Sequence, residues 1–167
     1  MVDEQEGCID MTIREATAED VPVIMELIHA LAHYEKASHE VLATGEDIKH
    51  SLFTDHPTAF CHVADENGKV VGFALWFLNY STWLGKPGIY LEDLFVLPEW
   101  RGKGFGKALM KKLAMIAVER GYERFQWWVL DWNQPSIDFY KEIGAEAMDE
   151  WTVFRLSGKA LQEFAKE

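Results

Sequence analysis

Residues 89–107 read IYLEDLFVLPEWRGKGFGK. The run from Ile89 to Leu97 is rich in β-branched and aromatic side chains and ends at Pro98, which predicts a strand. Gly102, Gly104 and Gly106 follow. From Gly104 onward, Leu109, Leu113, Ile116 and Ala117 fall on one face of a long helix that Gly121 closes. A strand, a glycine turn and a helix in that order aim unpaired backbone N–H groups at one point, where a phosphate would fit, although a tight turn that holds no ligand reads the same way. Spacing excludes one kind of phosphate turn and weakens another. The nucleotide P-loop needs four residues between its first glycine and a GK pair followed by Ser or Thr, but three lie between Gly102 and Gly106, and Ala108 follows Lys107. The dinucleotide fingerprint needs GxGxxG, whereas these glycines give GxGxG.

Upstream, Met11 to Glu15 reads as a short strand, and Thr17 with Asp20 three residues on resembles a capping box. Ile24, Leu27, Ile28 and Leu31 then recur at helical spacing as far as about Tyr34. A second helix is expected from Thr44 to Phe53. Thr58–Ala64 and Val70–Leu78, joined by Glu66, Asn67 and Gly68, predict a hairpin, followed by a loop holding Gly85, Pro87 and Gly88. Downstream, Phe125–Leu130 reads as a strand, Asn133 and Pro135 start a helix to about Ile143, and Trp151–Leu156 reads as a last strand before an amphipathic tail. The order predicts a single α/β domain with a mixed sheet, whose strand–helix–strand unit joins parallel neighbours.

Composition removes several function classes. The chain of 167 residues carries a formal net charge of −12, which argues against nucleic acid or an anionic membrane as partner and favours a cation. No apolar run is long enough to cross a bilayer and no signal peptide is apparent, so a cytoplasmic protein without membrane attachment is expected. Residues 1–10, acidic and without apolar period, read as a loose leader. Cys8 and Cys61 lack the paired spacing of a zinc site, and His29 and His33 lack the glutamate of HExxH, so no metal centre is expected. No nucleophilic triad has support either.

The RxxGxG pattern of Arg101, Gly104 and Gly106 resembles the turn with which GCN5-related N-acetyltransferases cradle the pyrophosphate of coenzyme A. YLEDLFVLPEWRGKGFG at 90–106, followed by DWNQPSIDFY at 131–140, is similar to the diamine acetyltransferases, and the resemblance runs from about Met11 to the C-terminus. YSTW at 80–83 and LDWNQ at 130–134 resemble the thialysine N-ε-acetyltransferase branch. The resemblance implies one N-acetyltransferase domain over residues 11–167, with a mostly antiparallel sheet, a central parallel strand pair and flanking helices. It implies acetyl-CoA as co-substrate, a small cationic amine (thialysine or lysine-like, diamine or polyamine) as acceptor, and a homodimer. A protein acetyltransferase and a nonenzymatic acyl-CoA sensor are the rival readings.

The same resemblance assigns residues. Tyr140 is the expected acid at the coenzyme sulfur, since a phenol stays protonated at neutral pH. Glu92 is the expected base, acting through water on an ammonium group with pKa near ~10. Alternation puts Leu91 and Asp93 on the face opposite Glu92 unless a bulge intervenes, so either Glu92 or Asp93 is left to bind charge. Leu94, Phe95 and Val96 would pair with the pantetheine arm. Arg101, Gly102, Lys103, Gly104, Phe105, Gly106 and Lys107 would surround the pyrophosphate, with Asn133 and Ser136 at the pantetheine end. Tyr34, Glu35, Trp83, Asp93 and Trp128 would receive the amine. The family's acid near the last strand falls on Asp149 or Glu150, with Glu150 preferred. The aromatic residues serve equally well as core.

Overall fold

The computed structural model describes residues 11–166; the expected leader at 1–10 lies outside the described residues. Two compact units divide the chain after Trp128. The first contains β1 (Met11–Glu15), α1 (Val21–Tyr34), α2 (Gly45–Leu52), β2 (Phe60–Glu66), β3 (Lys69–Ser81), β4 (Lys86–Val96), α3 (Phe105–Glu119) and β5 (Phe125–Gln126). Its sheet runs in the order β1-β2-β3-β4-β5, antiparallel throughout except for the parallel pair β4–β5. The expected α/β class, a mostly antiparallel sheet with one parallel pair and flanking helices, is therefore observed.

Alternation along the strands explains the two layers. Cys61 and Val63 of β2, Phe73 of β3 and Phe95 of β4 form a core with Ile24 and Leu27 of α1 and Leu52 of α2. Burying each aliphatic side chain there contributes about 1.5–3 kcal/mol. His62 and Trp76 point to the opposite face, where Trp76 Nε1 donates to His62 Nδ1 at 3.1 Å and the guanidinium of Arg120, the C-cap of α3, lies over the Trp76 ring. Burial holds the His62 pKa below its usual value, so the ring is neutral at neutral pH.

Local signals act much as the sequence predicts. The Thr17 N–H donates to Asp20 Oδ2 at 2.7 Å ahead of α1, and Thr44 caps α2 through Asp47. Asn67 and Gly68, both at positive φ, close the β2–β3 hairpin. The loop expected around Pro87 is instead a tight turn, and β4 begins at Lys86. The Ile89 N–H bonds the Arg124 carbonyl, so the missing N–H of Pro87 falls on the β5 side, before that pairing starts. At Gly88 a Cβ would stand 2.7 Å from the Arg124 carbonyl and 2.8 Å from Asn79 Oδ1, so only glycine lets β5 close on β4. Above it, Asn79 Nδ2 donates to Gln126 Oε1 at 3.0 Å.

Two strands differ from expectation. β5 stops at Gln126 rather than Leu130, because the β4 backbone it would follow bulges just beyond Tyr90, as described below. In the second unit, α4 (Gln134–Glu142) and α5 (Gly158–Phe164) are helical, and no strand forms at residues 151–156. β-Branched and aromatic residues favour a strand only where a ladder exists to join, and this unit has no other strand among its described residues.

Candidate active site

The acidic pair sits on a break in β4. Across from β3, Asp93 pairs with Leu75 but Leu91 pairs with Trp76, leaving Glu92 as an extra, bulged residue. Opposed residues share a face, so Leu91 follows Trp76 toward α3 while Asp93 follows Leu75 toward α1. The alternation that would place Leu91 and Asp93 together is thereby reset at Glu92, which stays exposed.

Asp93 faces the end of α1, where Tyr34 is the last helical residue and Glu35 the C-cap. Burial pushes the Asp93 carboxyl up to about 7, reinforced by the charges of Glu92 and then Glu35. Burial raises Glu35 as well, and a carboxylate at a helix C-terminus is further disfavoured by the helix dipole. Asp93 has no hydrogen-bond or ion-pair partner among the described residues. Glu92 and Glu35 are both close enough to act on Asp93, an arrangement of like charges that costs stability and that an ammonium group would relieve. Beside them, the Cys61 thiol is pushed up to about 12 by burial and by the charges of Asp20 and Asp93, so it stays protonated and is no nucleophile.

Next to this cluster lies an open strand edge. β5 pairs with β4 only at Ile89 and Tyr90, so from Leu91 through Leu94, Phe95 and Val96 the edge turned away from β3 has no strand partner among the described residues. An extended chain carrying amide groups, as pantetheine does, fits such an edge. Beyond it, Gly102 and Gly104 take φ of 76° and 90°, and Gly104 is the N-cap of α3. A Cβ at Gly102 would meet no atom within 4 Å, so the loop backbone is open for a diphosphate to approach the helix N-terminus. Gly106 continues into α3, Lys107 is exposed, and Phe105 is buried edge-on against Trp100. Arg101 also makes contacts within the protein that the sequence does not show. Its Nε donates to the Val96 carbonyl at 3.0 Å, and its guanidinium lies 4.8 Å from the Tyr34 ring and 5.2 Å from the Phe95 ring. The side chain straps the loop to the end of α1.

Other predicted residues lie elsewhere. Trp83 is 91% exposed at the tip of the β3–β4 hairpin, about 20 Å along the strands from Asp93. Trp128 meets the Tyr90 ring edge-on at 5.8 Å. In the second unit, Asn133 is the N-cap of α4, Ser136 lies in its first turn and Tyr140 follows one turn later on the same face. Glu150 sits in the turn before Trp151. A groove of about 420 Å³ between α1 and the β2–β3 turn is lined by Arg14, Asp20, Glu26, Lys69 and Leu97 and by none of the three clustered carboxylates. The sequence reading missed the strap of Arg101 and left the bulge open. No glycine or proline marks the bulge, and its one signal is the pair of adjacent acids in an apolar strand.

Comparison with known proteins agrees with this geometry. Residues 24–145 match the Acetyltransferase (GNAT) family. The chain is 38% identical to the thialysine N-epsilon-acetyltransferase of Mus musculus, over 92% of this chain and 96% of that protein. It is 34% identical to an L-ornithine N5-acetyltransferase of Arabidopsis thaliana, over 92% and 87%. Among solved structures, an integron cassette protein from V. cholerae superposes with a TM-score of 0.79 at 28% identity, covering 96% of this chain and all of that one. With a match that spans both the bulged strand and the helix of Tyr140, the chain belongs to the acetyltransferase (GNAT) family, N-acetyltransferases whose acetyl donor is acetyl-CoA.

Proposed function

We propose that this enzyme acetylates a primary amine of a small cationic substrate, of the thialysine or lysine-like, diamine or polyamine class, and that residues 11–167 act as one N-acetyltransferase domain. The carrying observation is the neighbourhood of Glu35, Glu92 and Asp93, in which burial and then the charges of Glu92 and Glu35 raise Asp93, and in which Asp93 has no ion-pair partner among the described residues. A substrate with two amino groups meets this chemistry: one ammonium stays charged against Glu35 while the other loses its proton. Tyr34 offers an aromatic face beside it. The relatives named for acetylating thialysine and ornithine support this substrate class.

In this reading the bound thioester supplies an electrophilic carbonyl carbon. The amine attacks it directly, since no activated nucleophile is present at Cys61. The amine proton passes through water to Glu92, exposed on the bulge, next to Asp93, whose hold on a proton is strengthened by burial and by the charges of Glu92 and Glu35. The Tyr140 hydroxyl delivers a proton to the departing sulfur. Leu94, Phe95 and Val96 hold the pantetheine arm through the open edge, with Asn133 and Ser136 at its end, and the loop from Gly102 to Lys107 takes the pyrophosphate. Trp128 and Glu150 belong to the amine side, and Trp83, at the hairpin tip, does not. The enzyme acts as a cytoplasmic homodimer; the exposed hairpin tip of Tyr80, Trp83 and Leu84 supports a second copy as its partner.

The test is free-thiol release with thialysine, lysine, putrescine, spermidine and a histone peptide, run on the wild type and Tyr140→Phe. The small amines should release thiol well above background and the peptide should not. Tyr140→Phe should lower turnover tenfold or more while acetyl-CoA still binds. Turnover with the peptide alone, or unchanged turnover in the variant, contradicts this reading.

A further inference from the structure

The phosphates of the acyl carrier present a problem that the glycine turn does not solve alone. Acetyl-CoA carries a diphosphate and, on its ribose, a 3′-phosphomonoester of about −1.5 to −2 charge at pH 7. Backbone N–H groups at the start of α3 suit the diphosphate. The phosphomonoester calls for further cations, and Arg101, whose Nε donates to the Val96 carbonyl, leans toward the Tyr34 and Phe95 rings at the end of α1.

Two lysines converge beside the loop. Lys103 Nζ lies 4.3 Å from the centroid of the Trp100 ring, and Lys69 Nζ lies 5.6 Å from the same centroid. They reach it from separate parts of the chain: Lys103 from the turn itself, Lys69 from the first position of β3, which the Asn67–Gly68 turn brings back toward the end of β4. The ring they share is steadied by Phe105, packed edge-on at 5.9 Å. Neither ammonium group is paired with a carboxylate among the described residues, although the chain has 28 acidic residues. Lys69 stands across the hairpin from Glu66, whose carboxylate accepts from the Asn67 amide. Two like charges drawn to one ring repel each other, and a dianion placed between them reverses that cost.

Resting on the acetyl-CoA reading of the loop, we propose that Lys69 and Lys103, gathered on Trp100, form the subsite for the 3′-phosphate of the carrier. Lysine suits this role as a compact point charge that needs no fixed bidentate geometry. Lys69 thus becomes a cofactor-binding residue contributed from outside the glycine turn.

Calorimetry of the full chain with acetyl-CoA and 3′-dephospho-acetyl-CoA tests the subsite. The wild type should bind acetyl-CoA about three- to tenfold more tightly than the dephospho form, with the preference shrinking as salt is raised. Lys69→Ala should remove most of that preference without changing affinity for the dephospho form. Lys69→Arg should restore it, and Lys49→Ala, which removes the same charge from α2, should leave it intact. Equal wild-type affinity for the two carriers overturns the subsite alone, as does an equal loss on both carriers in Lys69→Ala. Failure of the wild type to bind either carrier overturns the acetyl-CoA reading and the subsite together.

Discussion

Asp93 carries the main tension of the site. Its carboxyl titrates near 7 in the folded chain and near ~3.9 when unfolded. Between those values the unfolded chain has released its proton and the folded chain has not, so stability falls as pH rises through that window. Asn at this position keeps the shape and removes the charge. Asp93→Asn should therefore melt a few degrees higher than the wild type at pH 8, on the order of 1–3 kcal/mol, and about equally at pH 4. Thermal melts at the two pH values check this; a variant that melts lower at both would show the carboxylate to be a structural partner. The adjacent acids were legible in the sequence as a costly pair, whereas their arrangement was not. Which face each acid occupies depends on the bulge between Leu91 and Asp93, and that is a property of pairing with β3.

At the scale of elements, the site exists because β4 is paired on one edge along its length and on the other only at its start. Gly88 permits the β5 contact and Asn79 fastens it across to Gln126; the bulge at Glu92 then ends it, leaving the edge from Leu91 onward open. Gly88→Ala would drive a Cβ into the Arg124 carbonyl and Asn79 Oδ1. It should cost about 2 kcal/mol or more, read as a fall of several degrees in Tm, and weaken acetyl-CoA binding as β5 shifts. Unchanged stability would mean that β5 is held by other contacts. Helices and hairpin were readable because caps, turn residues and apolar period act locally: Thr17 with Asp20, Asn67–Gly68, and Gly104 before α3 all appear where the pattern puts them. The strand expected at 151–156 fails because strand composition states a preference that only a neighbouring ladder satisfies. The strap of Arg101 was hidden for a related reason, since the rings it meets lie at the ends of two other elements.

Taken as a whole molecule, a chain of net charge −12 attracts a cationic substrate but must still bind a polyanionic carrier. It separates the two by position, with carboxylates at the bulge and at the end of α1, and with glycine backbone and lysines at the start of α3. The glycine turn and the acidic pair made both halves of this division legible in sequence, while the contribution of Lys69 emerges only when the hairpin folds back. The most direct test of the account is the pH dependence of kcat/KM for the amine, measured by thiol release in the wild type and in Asp93→Asn. The wild type should show an ionisation near pH 7, rising toward higher pH, and in the variant that ionisation should move down toward the range of an ordinary carboxylate. An identical profile in the two proteins would contradict the claim that the Glu92–Asp93 pair takes the proton.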